Sequence, residues 1–342
     1  MVSKFHTPSR AKRSSLSAVS RIAYPEPVPL PHVEILELPT VTEELTECSA
    51  ESCRCGSPAF HDGLEGRIGP HRGWGAAIPA WDLPRLAWFR WIIGHQIAFI
   101  AWRLLADSLR RHLDGAACSC GATGTDRAAG LPTVPTSATA GDCTGLADLG
   151  TLMFLYTGSC SPRTYHRTIR PAMCRQHPAF SGEWAVDYHP LPRLARRMTA
   201  RDSRCADSWT MRWRLQQRVH MAVAARLVPD GPSLLRRAGR SPRQGPTGVE
   251  TALYDQFFGT RRRSICRRSV NAQLYHRIRA VLYDLERHGL YPHTVPVSAN
   301  STRRADQAIA DLEFRAPDLL TEHADALLAS SFGIQAARRS WS

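Results

Sequence analysis

Two histidines carry the chemistry this sequence suggests. His95 lies in Trp-Phe-Arg-Trp-Ile-Ile-Gly-His-Gln-Ile-Ala-Phe-Ile-Ala-Trp, residues 88–102. His220 lies in Trp-Arg-Leu-Gln-Gln-Arg-Val-His-Met-Ala-Val-Ala-Ala-Arg-Leu-Val-Pro-Asp-Gly, residues 213–231. Each falls on the apolar face of a predicted helix, and a buried imidazole must find a partner. Two of them on facing helices could hold the two sides of a flat iron cofactor. His220 has the better claim as iron ligand, because haem iron takes a neutral imidazole from one side and a stiff helix fixes the ring angle. Ala222, Ala224 and Ala225 leave room beside a broad macrocycle, and Arg214, Arg218 and Arg226 could pair with its propionates. His95 follows Gly94, which admits a close approach to the backbone. Trp88, Trp91, Phe99 and Trp102 form an aromatic wall around it, suited to a flat substrate beside one acid–base group. The plainer alternative is a core histidine among ordinary aromatics, and a solvated basic face around His220.

The elements that must position these residues are helical. Asp82 is a good N-cap with Pro84 in the first turn, so a helix is predicted from there to Leu113, ending at Asp114-Gly115. Trp88, Ile92, His95, Phe99 and Trp102 share one face of it. Leu146–Tyr156 reads as a short apolar helix. Ser161-Pro162 opens another, carrying Tyr165, Ile169 and Met173, which Pro171 should kink or end. A helix over about 203–227 places Trp209, Trp213, His220, Ala224 and Leu227 on its inner face. A further helix spans 267–288, with Gly289 as its C-terminal cap. Two weaker helices follow near 303–312 and 316–330. No alternating β-branched run suggests a large sheet, so the expected class is mainly α. Residues 1–65 read as a disordered or loosely docked arm: a basic start, a Pro-rich stretch, then an acidic patch. Residues 66–335 read as one helical domain, with 116–143 as a flexible Gly/Ala/Thr-rich insertion.

Composition limits the function classes. The chain has 342 residues and a net charge of +14. Lys4 and Lys12 are the only lysines, so the basic excess is almost wholly arginine. The arginines are scattered through nearly every helix, as a GC-rich coding bias would leave them. No nucleic-acid reading module accompanies them. No stretch approaches the ~20 apolar residues of a membrane helix. The basic start leads into Pro-rich sequence and not into a secretory signal's apolar region, so a cytoplasmic, soluble protein is expected. The pairs Cys53/Cys55 and Cys118/Cys120 are too closely spaced for zinc knuckles and read as reduced, non-ligand cysteines. The segment Phe258–Cys266 has the outline of the cysteine loop of thiolate-ligated haem monooxygenases but lacks its glycine spacing. Thiolate ligation is therefore rejected, and a thioether from Cys266 to a haem stays open but unsupported. G-x-S-x-G, P-loop and dinucleotide fingerprints are absent.

Phe89-Arg90-Trp91-Ile92-Ile93-Gly94-His95-Gln96, followed by Trp102, resembles the distal His-Gln helix of tryptophan 2,3-dioxygenases. Trp213-Arg214 through His220, ending at Pro229-Asp230-Gly231-Pro232-Ser233-Leu234-Leu235, resembles that family's proximal-histidine helix and its following turn. Tyr156-Thr157-Gly158-Ser159, Thr168-Ile169-Arg170-Pro171-Ala172-Met173 and His177-Pro178-Ala179-Phe180-Ser181-Gly182 look closer to one branch, the haem-dependent L-tyrosine 3-hydroxylases of actinobacterial antibiotic pathways. The resemblance covers about residues 80–290, excluding 116–143. The dioxygenases' Gly-Thr-Gly-Gly-Ser turn is missing, which favours the tyrosine branch.

The resemblance implies a helical haem-binding domain holding haem b, with His220 as proximal iron ligand and His95 over the distal face. It implies ortho-hydroxylation of L-tyrosine, or a close derivative, to L-DOPA with hydrogen peroxide, in antibiotic biosynthesis, and it leaves a homodimer open. His95, with an ordinary pKa near 6.5, would then take the proton of the phenol or of peroxide. The substrate carboxylate needs a cation, for which Arg170 is the choice, with Arg167 and Arg163 as rivals. Two other readings stand beside this one: a haem-dependent indole or tryptophan dioxygenase, and a cofactor-free, Arg-rich helical binding protein.

Overall fold

The Asp82 side chain accepts a hydrogen bond from Arg85 N at 3.0 Å, and Pro84 occupies the first turn of α1, Leu83–Leu113. A computed structural model describes residues 33–48, 82–115, 143–201, 204–229, 231–241, 244–292, 294–300 and 304–332. The insertion, both Cys-x-Cys pairs and most of the arm lie outside them. The described protein is mainly α, as expected. After α1 come α2, Cys143–Thr157; α3, Pro162–Thr164; a π-helical turn, Tyr165–Ile169; and α4, Arg170–Gln176. Then follow α5, Leu191–Thr199; α6, Arg204–Leu227; α7, Leu234–Arg237; α8, Gly248–Phe257; α9, Arg267–His288; and α10, Arg304–Phe332.

α2 is apolar all round and nearly every residue in it is buried, which makes it the central helix. It packs against both α1 and α6, while α9 packs on α1 and α10. Two glycines set how closely these helices approach. A methyl group on Gly94 would overlap Thr157 Cγ2, and one on Gly158 would overlap Val223 Cγ1. The close approach foreseen at Gly94 is therefore made by α2.

Four features differ from the sequence expectation. Residues 33–48 are not loosely docked: β1, Leu36–Leu38, pairs in parallel with β2, Thr260–Arg262, and both leucines are fully buried. The Gln273 carboxamide accepts from Glu37 N at 2.8 Å and donates to Glu37 O at 2.9 Å, so a side chain covers the outer edge of β1. Of the two outcomes expected at Pro171, a kink or an end, the end does not occur. The turn before it widens, with Arg170 N bonding to Tyr165 O, and the proline falls in the first turn of α4. The tail forms one helix through Pro317, because Leu312, Ala316, Leu319 and Leu320 are buried on both sides of it. Finally, the buried stripe of α6 is Trp209, Arg212, Gln216, Val219, Val223 and Leu227, whereas His220 and Ala224 are exposed. The helix is turned because Arg212 reaches Asp148 of α2 at 2.9 Å, a polar contact that an apolar pattern passes over.

Candidate functional site

His95 is fixed from three sides. Its Nδ1 lies 2.6 Å from the Trp91 carbonyl. A carbonyl only accepts, so Nδ1 carries the proton and Nε2 keeps its lone pair. The ring stacks on Phe258 at 4.5 Å and lies 4.4 Å from Trp91. Burial pulls its pKa down to about 4, outweighing the opposing Trp91 hydrogen bond. The expected ordinary value near 6.5 is thus corrected: an apolar, aromatic surround disfavours the imidazolium.

His220 sits across from it on α6. Its ring lies 4.9 Å from Phe154 of α2. It is open to solvent on one side, yet desolvation on the others lowers its pKa, with Glu183 acting weakly the other way. Neither ring nitrogen has a hydrogen-bond partner among the described residues. A charge on His220 is felt at His95 and lowers its pKa further, which places the two imidazoles on the same region of the molecule. Phe99, Trp102 and Phe154 form a chain of ring contacts linking the His95 side to the His220 side.

Several buried polar atoms on α1 and α6 lack partners: Trp91 Nε1, Trp102 Nε1 and both ends of the Gln216 carboxamide. Folded proteins rarely leave such groups unpaired without a water or ligand to meet them. Arg170 is buried and donates to Pro232 O, in the turn after α6, at 2.8 Å. Its charge also opposes the rise that burial gives the Tyr165 pKa, and the Tyr165 ring lies 5.6 Å from Trp91. Arg170 therefore stands two side chains away from His95, whereas Arg163 and Arg167 are exposed. Arg226 is not available to a propionate. It donates to Val295 O, Gly158 O and Cys160 O and lies over the Tyr291 ring. Arg214 and Arg218 remain exposed. Cys266 is buried at the start of α9, its Sγ 3.5 Å from Ser269 Oγ.

Sequence reasoning missed the supports. Gln96 donates to Phe258 O at 2.8 Å and Glu34 O at 3.1 Å, and accepts from Arg277 Nε at 2.8 Å. It thereby fixes the residue that stacks on His95. Arg262 joins Asp255 and Asp187 through paired hydrogen bonds of 2.7–3.0 Å. This ties the segment bearing Glu183 and Tyr188 to β2. Only the π-turn, a feature common near functional sites, had a local signal, in Pro171.

A flat iron cofactor fits these residues in three respects. His220 is exposed with no hydrogen-bond partner on its ring among the described residues, and His95 Nε2 keeps its lone pair. Small or exposed Ala222, Ala224 and Ala225 flank the first. Among the described residues, no set of three or more His, Cys, Asp or Glu side chains could hold a metal ion; an iron already held by a porphyrin needs only one protein ligand.

The described residues define a mainly α-helical protein in which a chain of aromatic ring contacts joins two histidines. Among the described residues no helix is long and apolar enough to cross a membrane. No protein-family model and no curated protein matches the chain.

Proposed function

We propose that this protein is a histidine-ligated haem enzyme that hydroxylates L-tyrosine, or a close derivative, ortho to its hydroxyl, using hydrogen peroxide. One observation carries the reading: His95 and His220 stand at the two ends of one chain of ring contacts through Phe99, Trp102 and Phe154, and each keeps a ring nitrogen without a hydrogen-bond partner among the described residues. His220 would be the iron ligand of haem b. When bound, the haem would supply the activated oxygen.

The chain's own residues have definite tasks. The rings of Trp91 and Phe258 around His95 would give a phenol ring an apolar, flat surface to lie against. His95 Nε2, unprotonated at neutral pH, accepts a hydrogen bond from the phenolic O–H. Full transfer of that proton to a group of pKa about 4 is uphill by roughly 8 kcal/mol for a phenol near 10. His95 is therefore a hydrogen-bond acceptor first and a proton acceptor only as the phenol becomes acidified during reaction. Arg170, held by Pro232 O, retains further N–H groups for the substrate carboxylate.

The test is the visible absorption spectrum of the purified protein, before and after haemin and then L-tyrosine are added. Haem uptake, a change on adding tyrosine, and L-DOPA formed with peroxide are expected. A colourless protein that takes up no haemin overturns the reading and favours an Arg-rich binding protein. Oxidation of tryptophan but not tyrosine would favour an indole dioxygenase.

A further inference from the structure

The buried face of α6 carries Gln216, wholly inaccessible, with neither carboxamide atom hydrogen-bonded. Trp102 on α1 is almost as buried, and its Nε1–H is likewise unpartnered. Both point at one spot on α2. A methyl group placed on Gly150 would lie 2.9 Å from Gln216 Nε2 and 3.5 Å from Trp102 Nε1. Three helices therefore direct two unsatisfied polar groups at a position where α2 has no side chain. Tyr188 and Phe154 border it, with rings 5.1 Å and 6.1 Å from Trp102. The charged groups that meet across the α2–α6 seam, Arg212 and Asp148, neutralise each other at 2.9 Å. An ionised ligand group there would have no counter-charge, and burying it would be costly. An uncharged oxygen incurs no such cost.

We propose that Trp102, Gly150 and Gln216 form a binding site for one uncharged oxygen, from a water or from the hydroxyl of a small organic ligand. The oxygen accepts a hydrogen bond from Trp102 Nε1–H and exchanges one with the Gln216 carboxamide, whose two ends can each face it. Gln216 precedes His220 by one helical turn, so the occupant lies beneath the exposed imidazole and pins the seam that carries it. The site stands whether or not the protein holds a haem.

Stability and crystallography test it on the full chain. Gln216→Met and Trp102→Phe should each lower the thermal unfolding midpoint by about 1–4 °C, and the double variant by less than their combined effects, because both bind the same oxygen. A high-resolution crystal structure should show one density feature within hydrogen-bond distance of both side chains. The same feature in crystals soaked with L-tyrosine identifies a resident water; its replacement by the tyrosine hydroxyl identifies the organic ligand. If Trp102→Phe fails to fold, the Gln216→Met midpoint and the density between the two side chains of the parent protein decide. A more stable Gln216→Met protein, additive effects, or empty density between the side chains overturns the proposal.

Discussion

Arg90 and Trp91 are neighbours on α1, yet they enter two opposite kinds of polar region. Arg90 is buried and fully satisfied: Nε and Nη2 meet Asp284, Nη1 meets Ser159 Oγ and Leu290 O, and Nη2 also meets Gly289 O. Tyr156 OH donates to Asp284 at 2.7 Å, and His288 Nδ1 lies 2.8 Å from the same carboxylate. This hub joins α1, α2 and α9 and leaves Arg90 with nothing to offer a ligand. Around Trp91 the pattern reverses. Trp91 Nε1, Trp102 Nε1 and Gln216 are unpaired, and His220 is open. The same helices thus carry a closed network that holds the fold and an open set that waits for a partner. Polar residues alone do not mark a site; unmet ones do.

Four measurements would break or sharpen that contrast. His220→Ala should abolish haem uptake and its visible absorption band completely. Its urea unfolding free energy should stay within about 0.5 kcal/mol of the parent, because the side chain is exposed. Retained haem would remove His220 as ligand. Asp284→Ala in the closed hub should do the opposite, destabilising the fold by about 3–5 kcal/mol by leaving Arg90 buried without its counter-ion. A loss near zero would show that the hub holds nothing.

The third measurement uses pH on the cofactor-free protein. Folded His95 stays neutral down to about pH 4, while the unfolded chain binds a proton near 6.5. Stability is therefore unaffected by this group above pH 6.5 and falls as pH drops from 6.5 toward 4, by at most about 3 kcal/mol. His220 adds in the same direction, reduced by its exposure. His95→Gln should flatten this part of the profile in urea titrations; an unchanged slope would contradict the lowered pKa. The smallest effect is expected for His95→Ala in the haem-loaded protein. Haem content should be retained and tyrosine turnover should fall by roughly 10²-fold, the lower end for acid–base groups. Turnover close to that of the parent would take His95 out of the chemistry.

Local sequence determined the helices. The Asp82 cap with Pro84, the Ser161-Pro162 start and the Gly289 stop each act within a few residues of themselves, and the helices began or ended there. The two histidines were legible for the same reason: a long periodic segment exposes which residue types it carries. Tertiary structure alone decided which way α6 faces. Its rotation follows from Arg212 meeting Asp148 and Gln216 meeting Gly150, contacts made across more than sixty residues of chain. It also decided that Phe258 stacks on His95, that Leu36 and Leu38 complete a parallel pair with β2, and that burial lowers the His95 pKa. Each of these depends on what a neighbouring element excludes from water, and that information is not carried by any single segment of the chain.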